Sequence, residues 1–371
     1  MAHRRVQLEV DLSELRSNYA KIAAAVDPCA VFAVLKANAY GLGVRPVADA
    51  LKQAGAKMLA VAELNEALEL LPLNLPVMIL GSILPDEIDE AVAAGIRLPV
   101  TDLESAGIIS ASAARQNKHA TAHILVDSGM GRLGMPVAEA LEAITAINNL
   151  PHLTLEGIYS HFPMAYQSGG EYTNRQIEAV TALLQQLEKR DISFKWRHIA
   201  NSDAVNNFPR TCREPFNAVR TGINLHGSFD LEGRRRLDLK PVLTLRARLA
   251  AVRRLPAGMC IGYGCTYRLP REMTVGTVSA GYADGLPLAL SNRGYLLING
   301  YQCPVIGRIS MDYTTVDLSQ VPDARCGDEV ICLGGTPPHA ISVEDWANIK
   351  GTHSYDIICS FGSRVERVYK G

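Results

Sequence analysis

The chain has 371 residues, 48% of them hydrophobic and 20% charged, and a formal net charge of -1. That length holds two domains, or one large barrel with a smaller partner, and the near-neutral balance provides no general attraction for nucleic acid or an anionic membrane. No apolar run reaches the roughly 18 residues of a membrane-spanning helix, so no span is expected.

In chain order, the N-terminus passes from His3-Arg4-Arg5 straight into the alternation Val6, Leu8, Val10, with no apolar stretch for a secretory leader. Eight apolar runs follow: Val31–Ala37, Met58–Ala62, Val77–Gly81, Leu98–Thr101, Ala122–Asp127, Leu155–His161, Trp196–Ala200 and Asn217–Leu225. They are short and rich in Leu or β-branched residues, as strands buried on both faces are. Helix-like segments separate them, among them Val44–Ala54, Leu64–Leu70, Asp86–Ala94, Val137–Ile147 and Thr173–Arg190. In the last, Ile177, Val180, Leu183, Leu184 and Leu187 recur at helical spacing. Capping signals such as Thr101-Asp102 before Leu103 open several of these.

Eight strand–helix units in about 230 residues is the count and size of a (β/α)8 TIM barrel. A doubly wound open sheet shows the same alternation. Closure is favoured because Lys36, Asp127, His161, Asn201 and Arg220 lie near or just past the C-terminal ends of the runs, where a barrel collects its chemistry. After Leu239 the pattern changes to strand-like segments divided by Gly and Pro turns: Leu243–Val252, Glu272–Val278, Gly294–Ile298, Gln302–Ile309, Thr314–Leu318 and Glu329–Leu333. Asn299-Gly300 is a hairpin turn signal, and the region reads as a mostly β second domain. The run Arg234-Arg235-Arg236 reads as a solvated loop.

The eight cysteines, Cys29, Cys212, Cys260, Cys265, Cys303, Cys326, Cys332 and Cys359, form no Cys-x-x-Cys pair. No metal site is expected from them. Reduced thiols and a cytoplasmic protein are.

Lys36 closes an apolar run, in Leu35-Lys36-Ala37-Asn38-Ala39-Tyr40-Gly41. A lysine there either snorkels to the barrel mouth or is held where desolvation lowers its pKa and favours attack on a carbonyl. The flanking glycines let backbone approach a ligand, and Tyr40 can donate to a phosphate.

The segment resembles the cofactor-lysine signature of the alanine racemases, pyridoxal phosphate enzymes built of a barrel and a β domain. The similarity continues in matching order through Asp127-Ser128-Gly129-Met130-Gly131-Arg132, Ser160-His161-Phe162, His198-Ile199-Ala200-Asn201-Ser202, Val219-Arg220-Thr221-Gly222, Gly262-Tyr263-Gly264, Gly281-Tyr282-Ala283-Asp284, Ser310-Met311-Asp312 and Tyr355. It implies an N-terminal strand over residues 1–10 joining the β domain, a barrel over 11–239 and a β domain over 240–371. It also implies pyridoxal 5'-phosphate on Lys36, with Lys36 and Tyr263 as bases on opposite faces of the substrate. Arg220 would face the cofactor's ring nitrogen. His198 would link Arg220 toward the tyrosine, with His161 near the cofactor.

The resemblance gives the phosphate to Tyr40, Ser202, the amides of Gly222 and Ile223, and Tyr355, with Asn201 alongside. Arg132 and Met311 would hold a small amino-acid substrate. Tyr263, Tyr282 and Met311 would reach the other subunit's site, which implies a head-to-tail homodimer. The expected reaction is interconversion of L- and D-alanine for the cell wall; the rivals are a serine or broader racemase, a decarboxylase on the same barrel, and a non-catalytic single-barrel cofactor binder. One departure stands out. Many alanine racemases carry a carbamylated lysine seven residues before the Arg132 counterpart, whereas this chain has Leu125. Leucine forms no carbamate, so none is expected to support Arg132.

Overall fold

A computed structural model describes residues 5–336 and 338–371; the first part of the N-terminal reading above lies outside them. Eight short strands form a ring: β2 (Ala30–Val34), β3 (Met58–Val61), β4 (Val77–Ile79), β5 (Leu98–Val100), β6 (Ala120–Asp127), β7 (Leu153–Tyr159), β8 (Trp196–His198) and β9 (Ala218–Thr221). Strands β9, β2, β3 and β4 pair in parallel, as do β5 to β8. A Met78–Arg97 bridge joins the two sets on one side. On the other, the Asn217 and Arg220 amides donate to the Arg197 and Ala200 carbonyls at 3.0 Å each. The ring is closed, a (β/α)8 barrel, which decides against the open sheet. Its interior is filled by side chains such as Phe32 and Met78, both fully buried.

The strands match the apolar runs closely but, β6 apart, stop earlier at their C-terminal ends. There the chain leaves regular pairing to build loops at the barrel mouth. One helix passed over above, α1 (Leu12–Val26), buries Leu15, Tyr19, Ile22 and Val26, and is capped by the Asp11 carboxylate, which accepts from the Glu14 amide at 3.0 Å.

Beyond the barrel, β10 (Leu243–Leu255) is the spine of an antiparallel sheet with β11 (Met273–Val278), β12 (Tyr295–Ile298), β13 (Tyr301–Pro304), β14 (Thr314–Asp317) and β15 (Glu329–Thr336). Asn299 and Gly300, with φ of 51° and 83°, make the expected tight hairpin between β12 and β13. Strand β1 (Gln7–Asp11) pairs antiparallel with β10 and parallel with β16 (Glu366–Lys370), so both ends of the chain enter this sheet. Among the described residues no helix is long and apolar enough to cross a membrane.

Candidate active site

After β2 the backbone turns sharply. Ala37, Asn38, Ala39 and Tyr40 have φ of 53°, 55°, 51° and 54°, four successive left-handed residues without a glycine. Each costs about 1–2 kcal/mol for an L-residue, so the turn needs external support. The Glu66 carboxylate accepts from the Ala37 and Ala62 amides. The Asn38 side chain accepts from the Val44 amide at 2.8 Å, and the Gly41 carbonyl accepts from Arg367 at 2.9 Å. Lys36 therefore stands on a clamped turn, not on the strand end its apolar run suggested. Its amine opens into a cavity of about 450 Å³ at the barrel mouth. Desolvation, and then the Arg132 charge, lower its pKa.

Tyr40, Arg132, His161, Asn201, Ser202, Arg220, Gly222 and Tyr355 line the same cavity. Arg220 is 4% exposed. Its Nη1 donates to His198 Nδ1 at 2.9 Å and to the His198 carbonyl at 2.8 Å. Its Nη2 donates to the Ser160 carbonyl at 2.7 Å and faces His161 Nδ1 at 3.3 Å. The guanidinium lies 5.4 Å from the centre of the Tyr159 ring. Burial lowers its pKa to about 10, so it stays charged at neutral pH. Among the described residues no acceptor meets its Nε–H, which leaves that donor for a ligand.

His198 carries the chain of bonds inward. With Nδ1 accepting from arginine, its Nε2–H must donate to His123 Nδ1, 2.9 Å away. His123 Nε2–H then points to Glu156, 3.4 Å away. Burial, first of all, keeps both histidines neutral, holding His198 well below its ordinary value. The His123 hydrogen bond, with Lys195 and Arg97, holds the Glu156 carboxyl down at about 2 against its partial burial. Both ring nitrogens of His198 are thus engaged within the barrel, so it does not lead toward Tyr263. His161 occupies the mouth side instead, pushed down to about 3 by burial and then the Arg220 charge.

At the Ser202–Gly222 side of the cavity, Asn201 caps helix α2 (Ser202–Asn207) by accepting from the Ala204 amide at 2.9 Å. The Gly222 amide donates to Ser202 Oγ at 3.1 Å. A Cβ at Gly222 would overlap the Tyr40 hydroxyl, so only glycine leaves the Tyr40 ring in place. Ile223 is fully buried behind it. Asp203 and Asp230, not foreseen, also line the cavity; burial and the Asp230 charge raise Asp203 to about 7.

Arg132 rides on a loop fixed by Asp127, whose carboxylate accepts from the amides of Gly129, Met130 and Gly131 at 2.7–3.2 Å. Leu125 is on the cavity wall.

Three expected site residues are elsewhere. Tyr263, Tyr282 and Met311 are 71%, 46% and 52% exposed, in turns between strands of the second domain. Tyr263 flanks a separate shallow depression with Arg308, Ser310 and Tyr313. The Tyr282 and Met311 loops are tied together, the Tyr282 amide donating to the Ser310 carbonyl at 3.0 Å. Arg364 braces both, bridging Asp284 at 2.8 Å and Asp312 at 2.9 Å. The expectation of free thiols throughout is corrected here. Cys260 and Cys265 are joined in a disulfide across the Tyr263 loop. Gly262, Gly264 and Cys265, with φ of 66°, 74° and 47°, fold the chain back until the two Cα atoms are 5.0 Å apart, within bridging range.

A closed barrel with a lysine of lowered pKa, a buried arginine and a second arginine lining the cavity at its mouth, joined to a β sheet, defines a two-domain barrel enzyme. Residues 10–229 match the family described as "Alanine racemase, N-terminal domain" and residues 242–369 "Alanine racemase, C-terminal domain". An alanine racemase of Desulforamulus reducens is 41% identical over 98% of both chains. The solved alanine racemase of Streptomyces lavendulae, a D-cycloserine producer, superposes with a TM-score of 0.93 at 35% identity, over 100% of this chain and 98% of its own. That of Bartonella henselae, solved with covalently bound pyridoxal phosphate, has a TM-score of 0.88 at 28% identity, covering 99% of both. The chain belongs to the alanine racemase family, isomerases that interconvert the enantiomers of alanine.

Proposed function

We propose that this chain racemises alanine with pyridoxal 5'-phosphate held on Lys36, using Lys36 and Tyr263 of the partner subunit as bases on opposite faces of the substrate. The observation that carries this reading is the split of the site. The lysine opens into a closed-ended cavity, while Tyr263 stands in solvent in the second domain. A head-to-tail dimer brings the two together, with Tyr282 and Met311 of the partner subunit closing the mouth.

The residues fit the cofactor. The free Arg220 Nε–H suits the ring nitrogen, and Tyr40, Ser202, Gly222 and Tyr355, which line the cavity together, suit a phosphate with the Gly222 and Ile223 amides. When bound, pyridoxal phosphate supplies the electron sink that makes the α-proton removable. Lys36 fixes the cofactor and, with its lowered pKa, takes the α-proton from D-alanine. Tyr263 takes it from L-alanine. Arg220 would donate a hydrogen bond to the group while keeping its own proton. His161 and Asn201 pack the remaining sides, and Arg132 pairs with the substrate carboxylate. The product serves peptidoglycan synthesis, in the cytoplasm.

The test is α-proton exchange in deuterated buffer. Tyr263→Phe should slow exchange from L-alanine by about 10²–10⁴-fold while sparing D-alanine. Equal loss from both enantiomers would show that Tyr263 is structural. A second reading, a racemase that also takes serine, is favoured by Leu125, since among the described residues no hydrogen bond or ion pair supports Arg132. Comparing kcat/KM for both enantiomers of alanine and serine decides between the two.

A further inference from the structure

The Cys260–Cys265 bridge encloses the four residues Ile261, Gly262, Tyr263 and Gly264, and the proposed reaction gives it no task. Its arms are a minimal hairpin in which Cys260 opposes Arg268 and Ile261 opposes Tyr267. Between them the loop relies on Gly262 and Gly264, residues that restrict the backbone least. The other restraints are few: a Cys265 amide bond to the Gly262 carbonyl at 3.3 Å and an Asn292 bond to Thr266 at 3.1 Å. Among the described residues no hydrogen bond holds the Tyr263 hydroxyl, so the ring's position is inherited from the loop backbone. A cross-link closing this short loop removes most of its alternative conformations.

The pair also differs from most other cysteines. Cys29, Cys212, Cys303 and Cys332 are buried, and desolvation pushes their thiols up, Cys29 to about 12. Cys260 is exposed and Cys265 half-buried, in the loop that carries the tyrosine. In the free subunit a soluble thiol or disulfide can reach them.

We propose that Cys260 and Cys265 are positioning residues for Tyr263, so that proton transfer on the tyrosine face depends on whether this pair is oxidised. The proposal rests on Tyr263 being the L-side base. Formation of the bridge is a two-step exchange with a low-molecular-weight disulfide. One cysteine thiolate attacks a sulfur of that disulfide, forms a mixed disulfide and releases one small thiol. The second cysteine then displaces the other small thiol, and the two cysteines are oxidised as one small disulfide is reduced to two thiols. A small dithiol reverses it. A loosened loop leaves the cavity intact, so the effect falls on one enantiomer only.

The experiment uses the holoenzyme. Thiols are alkylated before and after reduction and counted by mass spectrometry, to establish the state of the pair. The α-proton exchange of L- and D-alanine is then followed in deuterated buffer, with oxidised glutathione or with dithiothreitol. Reduction should slow L-alanine exchange by roughly tenfold or more and D-alanine exchange by less than about twofold, since catalysis is sensitive to small misplacements of a base. The double variant Cys260→Ser, Cys265→Ser should behave like the reduced enzyme and ignore both reagents. Failure of the bridge to form in oxidised glutathione overturns the proposal. So does equal exchange in both states, or a double variant that loses both enantiomers alike. Tyr263→Phe in the oxidised enzyme separates the two readings. If it leaves L-alanine exchange intact, the base assignment has failed; if it abolishes that exchange while the double variant does not slow it, only the bridge proposal has.

Discussion

In the barrel mouth, Arg220 is buried, bonded on both Nη atoms and lowered in pKa; in the second domain, Tyr263, Tyr282 and Met311 stand in solvent. Arg220 is held by two histidines and two carbonyls, whereas Tyr263 is held by loop geometry alone. A lysine needs a desolvated pocket to become a useful base, and one chain can build that pocket. A second base for the opposite face of the substrate would have to approach from outside. Under the proposed function, each chain is half of two sites.

The strongest break of this comparison is subunit complementation. Lys36→Ala and Tyr263→Phe alone should each lose about 10²–10⁴-fold or more in racemisation. Unfolded together and refolded, they should regain about a quarter of the wild-type rate. Half of randomly paired dimers are hybrids, and each hybrid has one intact site. No recovery would place both bases in one chain.

A smaller effect separates the acid response of the barrel from that of the sheet. His226 is fully buried, edge-on to Tyr40 at 5.1 Å, and neither ring nitrogen has a partner. Burial depresses its pKa to about 3. Its neutral form is therefore favoured on folding. That stability is complete above the unfolded value of about 6.5 and is lost at up to about 1.4 kcal/mol per pH unit as pH falls toward 3. Urea midpoints at pH 7 and pH 5 should show His226→Phe less acid-sensitive than wild type by about 2 kcal/mol. The same slope in both would mean that the histidine does not carry the acid response. The smallest effect is in the sheet hairpin. Gly300→Ala, at φ 83° with open space around it, should cost about 1 kcal/mol in thermal unfolding from backbone strain alone.

The barrel was legible because each strand is an apolar run buried on both faces, and the hairpin because Asn299-Gly300 matches the turn it must make. The cavity residues Arg220, Ser202 and Tyr40 were legible from motifs. The supports were not. His123 and Glu156 are polar residues inside apolar runs, and only the closed ring shows that they continue the Arg220 chain. Glu66 holds the Lys36 turn from the first turn of a neighbouring helix (Leu64–Leu70), a contact without local sequence signal. The cysteine pair escaped because its spacing fits no metal or redox motif; its closeness comes from glycine dihedrals.

The left-handed turn after Lys36 also sets how the protein can change. Residues 37–39 are Ala, Asn and Ala, small or able to bond their own backbone. A β-branched side chain there would meet the dihedral penalty in full. Libraries aimed at new substrates should leave this stretch alone and vary Leu125, Asp203 and Asp230, which face the cavity from ordinary backbone and can be exchanged without unwinding the mirror-image turn that aims the lysine.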